Sequence, residues 1–157
     1  MPRVLANMVD VYIFRRGGGG VELLQMCRAD GSLMGTWHPV MGQIEEGETA
    51  VAAAIREMRE EAGLEKGKGL VAMWALEQVH PYFLARRDTI VLSARFAAEV
   101  GPGWEPRMNE EHTAWRWVKG DEAGRHFMWP GQLGAVREVL EVVVKGGWGE
   151  EYLRLEV

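Results

Sequence analysis

Residues Thr49 to Ala62 constrain this chain more than any other segment. Val51, Ala54, Ile55, Met58 and Ala62 recur at spacings of three and four, which gives a helix one apolar stripe. Gly63 follows, a residue type that readily takes the left-handed conformation closing a helix. Such a stripe must be covered, so the helix needs a sheet or other helices to pack on. Its last turn is unfavourable on its own. Glu57, Glu60 and Glu61 stand at i, i+3 and i+4, within an arc of about 100°. Like charges at these spacings cost roughly 0.2–0.5 kcal/mol each. Carboxylates at a helix C-terminus also face the negative end of its dipole, at roughly 0.3–1 kcal/mol each. The helical wheel sets Glu61 beside the apolar stripe, at the boundary of the core.

Two readings fit this cluster. One is a solvated acidic face. The other is a site for a hard divalent cation, which prefers carboxylate oxygens and turns each penalty into a gain. Between Glu45 and Glu61 there are six Glu and two Arg, a local charge of 2 − 6 = −4. The loop Gly42-Gln43-Ile44-Glu45-Glu46-Gly47-Glu48 leads into the helix. Its glycines allow sharp turns or close approach to a ligand, and a freed carbonyl there can ligate a cation. Arg56 falls on a different side of the helix from Glu57 and can pair with Glu48, either as a surface ion pair or as a lock between loop and helix.

The rest of the chain supplies a framework. Its 157 residues suggest a single domain spanning 1–157. With 47% hydrophobic and 26% charged residues, disorder is excluded as the default state. A net charge of −5 argues against binding nucleic-acid polymers or anionic membranes. No run of apolar residues is long enough to span a bilayer, and Asp10 interrupts the N-terminal apolar stretch that a signal peptide would need. The lone Cys27 excludes an intramolecular disulfide and reads as a buried thiol on a strand. A disulfide-free chain fits a reducing compartment, so a cytoplasmic location is expected.

Strands are expected over Val4–Phe14 and Val21–Arg28, joined as a hairpin through Arg15-Arg16-Gly17-Gly18-Gly19-Gly20. The glycine run lacks a following Gly-Lys-Ser/Thr, so it reads as a hairpin tip rather than a phosphate loop. Further strands are expected at Trp37–Met41, Leu70–Val79, Thr89–Val100 and Thr113–Val118, with a loop around Pro81. A second helix is expected from Pro130 or Gly131 through Val144, ending at Gly146-Gly147. Mixed strands and helices imply an α/β (α+β) mixed sheet covered by helices.

Gly42, five residues, Glu48, seven residues, Arg56-Glu57-Met58, one residue, Glu60-Glu61, one residue, Gly63-Leu64 resembles the Nudix box at every fixed position. The resemblance covers 23 residues, and the order of strands with a late helix is also similar to the Nudix fold, a mixed sheet sandwiched between helices. It implies hydrolysis of a nucleoside diphosphate linked to another moiety, with Mg2+ or Mn2+ held by the box. Carried onto this sequence, Glu57, Glu60 and Glu61 become metal ligands, the Gly42 carbonyl an additional one, Glu48 with Arg56 an orienting pair, and Gly63 the cap that supports the site at the helix end. Members often recruit an acid outside the box. Asn109-Glu110-Glu111-His112 before a late strand suggests Glu111, with Glu110 as fallback, and His112 orients that loop or shuttles a proton. Glu57, Glu60 and Glu111 are all eligible as general base, with Glu57 preferred. Arg28, ending the second strand, is a candidate phosphate contact beside the alternative of a plain surface arginine.

Trp37 leads directly into the box and is the candidate for stacking on a planar base, among seven tryptophans that mostly pack. That lead-in, with the later Glu-His, looks like the members that cleave dihydroneopterin triphosphate or deoxynucleoside triphosphates to monophosphate plus pyrophosphate. ADP-ribose and dinucleoside polyphosphates remain as alternative substrates, and the start of the chain at its first strand counts mildly against the ADP-ribose enzymes. A non-catalytic nucleotide-binding module is a further alternative, although such modules usually lose box carboxylates and none is lost here. The resemblance leaves monomer and homodimer both open.

Overall fold

Alternation along one strand organises the molecule. The computed structural model describes residues Met1–Val157. Its central strand β1 (Arg3–Gly17) sends Val9, Val11 and Ile13 into one buried layer and Tyr12 and Phe14 into another. β1 turns through Gly18-Gly19 into the antiparallel β2 (Gly20–Arg28). Trp37–His38 (β3) pairs with β2, whereas Val40–Gln43 (β4) pairs with β1. The single strand expected there is broken at Pro39, which has no N–H to give a ladder.

Helix α1 (Ala50–Ala62) covers the first layer. The Thr49 hydroxyl accepts from the Ala52 N–H at 3.2 Å, and Gly63 closes the helix at φ 68° and ψ 22°. The Gly63 N–H then reaches the Arg59 carbonyl and the Leu64 N–H the Met58 carbonyl, a paired C-terminal cap. The buried face is rotated from the expected stripe. Ala53, Ala54, Met58 and Ala62 are buried with Glu61 among them, while Ile55 is exposed.

Beyond α1 come β5 (Glu65–Lys66), β6 (Gly69–Ala75), β7 (His80–Leu84) and β8 (Thr89–Val100). β8 runs parallel to β1 and antiparallel to β6 and β7. The expected loop around Pro81 is therefore a strand. β7 pairs on one side only, with β8, and an edge position tolerates proline. The expected strand 70–79 stops at Ala75. β9 (His112–Lys119) pairs antiparallel with β2.

The second layer is covered by α2 (Gly120–His126) and α3 (Gln132–Glu138), and α3 continues as a π-helical stretch over Val139–Val144. α2 was not expected, since its seven residues are too few to set a helical period. A short α4 (Glu150–Leu153) and β10 (Arg154–Leu155), paired with β6, finish the chain. The strand order β10-β6-β8-β1-β2-β3, with β4, β5, β7 and β9 added beside it, makes a mixed sheet between helices, as expected. No helix is long and apolar enough to cross a membrane. Cys27 is a buried free thiol on β2.

The Thr49 cap ties the start of α1 to the loop before it. Thr49→Ala is expected to lower stability by about 1 kcal/mol. Urea unfolding followed by circular dichroism reads this as a lower midpoint at unchanged slope.

Candidate active site

Gly42 lies in β4 opposite Val9 of β1 and under α1. A Cβ added at Gly42 would overlap the Glu57 carboxylate, so this close approach of helix to strand requires glycine. The Glu57 side chain is 12% exposed. Burial raises its carboxyl above the ordinary range, Arg56 opposes this, and Glu60 and Glu111 add to the rise.

Arg56 does more than the expected pairing. Its Nε and Nη2 each lie 3.0 Å from a different Glu48 oxygen, a bidentate clamp. Nη2 also donates to the Gln43 carbonyl at 2.8 Å, and Nη1 reaches Glu57 Oε1 at 2.7 Å and Glu60 Oε2 at 3.3 Å. The Glu48 carboxyl is held low, first by its hydrogen bond from Arg56 and then by the Glu45 amide. One guanidinium therefore fixes the loop and partly neutralises two acids of the helix. Held in this way, the acids do not converge on a common point.

Glu61 is the anomaly. It is 2% exposed, and its Oε2 has no hydrogen-bond partner. The nearest cationic candidate, His112 Nε2, is 3.8 Å away, beyond hydrogen-bonding distance. Burial pushes the Glu61 carboxyl up to about 9, and the charges of Glu57 and Glu111 push the same way against the Met41 amide and Arg28. Glu111 ends the turn before β9, where its N–H donates to Asn109 Oδ1 and its carbonyl accepts from the Ala29 N–H. Of the two acids in that turn, Glu111 is the one whose charge acts on both Glu57 and Glu61.

Arg28 pairs with His112 across a bulge at the end of β2. Its charge reaches Glu61, His38 and His112. Both histidines are buried and held down at about 4, mainly by burial and then by Arg28, so they are neutral near pH 7. His38 was not singled out in the sequence. It sits on β3 with Nε2 2.6 Å from the Thr36 hydroxyl. Trp37, its neighbour, is not brought to the carboxylates. Successive side chains of a strand point to opposite faces, and the Arg116 guanidinium covers one face of the Trp37 ring at 3.9 Å.

A cavity of about 500 Å3 opens on the face of β4 away from α1, lined by Met41 and by Asp10 of β1. The Asp10 carboxyl is 2% exposed, and burial pushes it up to about 6 against the Ser93 hydroxyl and Arg95. The sequence signal for it was a charge inside an otherwise apolar strand.

This combination of fold and acidic helix end belongs to a known class. Residues 5–141 match the NUDIX domain, and the chain belongs to that family. It is 32% identical over 88 residues to the asymmetrical bis(5'-nucleosyl)-tetraphosphatase of Sus scrofa, covering 55% of this chain and 58% of that protein. The Mus musculus enzyme of the same name is 28% identical over 119 residues, covering 72% and 78%. The chain thus spans little more than half the length of the pig relative. Among solved structures, a C. elegans Ap4A hydrolase binary complex superposes with a TM-score of 0.74 at 20% identity, over 88% of this chain and 97% of that one. The E. coli dihydroneopterin triphosphate pyrophosphohydrolase gives 0.73 at 20%, over 90% and 99%. At such identities these two likenesses establish the fold.

The raised Glu61 carboxyl carries a stability signature. The folded metal-free protein holds this proton up to about pH 9, whereas an unfolded glutamate releases it near 4.5. The stabilisation is complete below about pH 4.5 and is lost as pH rises toward about 9. Glu61→Gln, which removes the ionisation, is expected to raise Tm by a few degrees at about pH 8 in EDTA. It should leave Tm unchanged near pH 4.5. Calorimetry at the two pH values checks the sign.

Proposed function

We propose that this protein is a divalent-metal-dependent pyrophosphohydrolase acting on a small nucleotide-like substrate. The substrate is a nucleoside diphosphate linked to another moiety, and a (deoxy)nucleoside or dihydroneopterin triphosphate is cleaved to monophosphate plus pyrophosphate. One observation carries the reading: a buried, unpartnered Glu61 oxygen under the negative charge of Glu57 and Glu111, with Glu57 itself packed on the Gly42 backbone. Oxygen-only donors of high negative charge fit a hard cation, Mg2+ with Mn2+ as substitute. Glu57, Glu60, Glu61, Glu111 and the Gly42 carbonyl would hold it. Bound there, the cation supplies neutralisation of the anhydride oxygens and lowers the pKa of water.

The chain's own groups do the rest. Arg56 holds Glu57 Oε1, so Glu57 Oε2 is the oxygen that accepts a proton from the attacking water. The water oxygen bonds to one phosphorus, the anhydride P–O bond to the next breaks, and the departing pyrophosphate or monophosphate group carries away the electron pair. Arg28 is a candidate cation for the charge developing on that phosphate. The Glu48–Arg56 clamp keeps loop and helix in register throughout. The family relatives favour a second reading in which the substrate is a dinucleoside polyphosphate, since the matched curated proteins of pig, rat and mouse are asymmetrical bis(5'-nucleosyl)-tetraphosphatases.

Glu60 is the diagnostic acid because its side chain is 47% exposed and leaves the core intact when changed. Glu60→Gln is expected to lower kcat by about 100-fold or more with Tm nearly unchanged. The assay is a Mg2+ panel of nucleoside triphosphates, dihydroneopterin triphosphate, ADP-ribose and diadenosine tetraphosphate. Wild-type activity within fivefold of the variant's on every member would remove the proposal.

A further inference from the structure

The cavity beyond β4 is not part of the carboxylate cluster, yet it shares a strand with it. Met41 lines the cavity and the next residue, Gly42, carries Glu57 on its backbone. Its volume of about 500 Å3 falls in the range of small-molecule sites, roughly 300–1,000 Å3. Tyr82 on β7 and Trp129 ahead of α3 supply aromatic walls. Trp129 is 42% exposed at the rim. Flat rings lining one cavity suit a flat heterocycle.

The polar groups in the cavity are few and incompletely partnered. Asp10 Oδ1 accepts from the Ser93 hydroxyl at 2.7 Å. Asp10 Oδ2 lies 3.8 Å from Arg95 Nε, too far for a hydrogen bond, and that Nε has no partner either. Arg95 is instead drawn to the Gly131 carbonyl at 2.6 Å, which holds the Trp129–Gln132 turn over the cavity. The Gln132 Oε1 accepts from the Trp129 N–H at 3.0 Å, leaving its Nε2 with only the Met41 sulfur at 3.7 Å. The cavity therefore offers a buried carboxylate as acceptor and a buried amide as donor, each short of partners. Leaving such groups unmet is unfavourable, so a ligand that meets both is favoured over one that does not.

We propose that this cavity is the ring subsite of the substrate and that Asp10 and Gln132 select a 2-amino-4-oxopyrimidine edge, the edge shared by guanine and pterin. This rests on the hydrolase reading above and deepens it. That edge presents adjacent N–H and NH2 donors to the Asp10 carboxylate and an oxo acceptor to the Gln132 amide. Adenine presents one donor beside a ring-nitrogen lone pair, which sets a lone pair against the carboxylate.

The test is calorimetric titration of the whole chain in EDTA with guanosine, pterin and adenosine, none of which carries a phosphate. Guanosine and pterin bind at least about tenfold more tightly than adenosine, and the tighter of the two identifies the source of the ring. Asp10→Asn keeps the size but pairs one acceptor with one donor, so its preference moves toward adenosine. Trp129→Ala, at the exposed rim, weakens guanosine and adenosine alike and leaves their ratio unchanged. Equal affinity for the three rings, no binding of guanosine and pterin, or a folded Asp10→Asn protein that keeps the wild-type ratio overturns the proposal. If Asp10→Asn does not fold, the wild-type ratio and Trp129→Ala decide it. Ring selectivity without hydrolysis of any phosphorylated substrate counts against the hydrolase reading alone. Hydrolysis without ring selectivity counts against this proposal alone.

Discussion

A carboxylate that the core cannot solvate sits at the centre of this structure. Glu61 shares its helical face with Ala53, Ala54, Met58 and Ala62, so the packing that holds α1 on the sheet also removes Glu61 from water. Compensation is incomplete: the Met41 amide and the charge of Arg28 favour the ionised form, but His112 is neutral and too distant, and the acids nearby repel. An ion of this kind left alone takes up a proton or loses stability. Its retention in a helix that gains nothing from it is intelligible if a divalent cation enters and brings the opposing charge with it. The Gly42 backbone and the Arg56 clamp fix where Glu57 and Glu60 sit relative to Glu61, although the acids do not meet at one point as they stand.

The alternation of two strands divides the work between two faces. On β4, Gly42 faces α1 and admits Glu57, while Met41 lines the cavity on the other side. On β1, Val9 and Val11 pack under α1, while Asp10 turns toward the cavity. One register thus fixes the acidic cluster and the ring cavity together. A slip of one residue would exchange the faces and destroy both. The long pairing of β1 with β8 and the hairpin with β2 make that slip costly.

Sequence carried the acidic cluster well because its signal is local. The spacing of Glu57, Glu60 and Glu61 needs only a helix, and the Thr49 and Gly63 caps mark where that helix begins and ends. The reach of Arg56 to three acids was less legible, since a flexible side chain can turn toward neighbours that a helical wheel puts elsewhere. The rotation of the buried stripe away from Ile55 depends on which side of α1 meets the sheet, and small alanines left that ambiguous. The split of the expected 37–41 strand into β3 and β4 at Pro39 was not legible either, because no periodicity in so short a run reveals it. The cavity draws on β1, β4, β7 and the turn before α3, so only the tertiary fold assembles it. Asp10 in an apolar strand was its one advance sign, read first as an interruption.

The central claim is that Glu61 gives up its proton when a cation takes its place. Titrating the metal-free protein with Mn2+ near pH 7.5, in two buffers of different ionisation enthalpy, measures protons released per metal bound. The account predicts saturable binding with close to one proton released, and less than half of that in Glu61→Gln. Binding with no proton release, or release that is the same in Glu61→Gln, would contradict it.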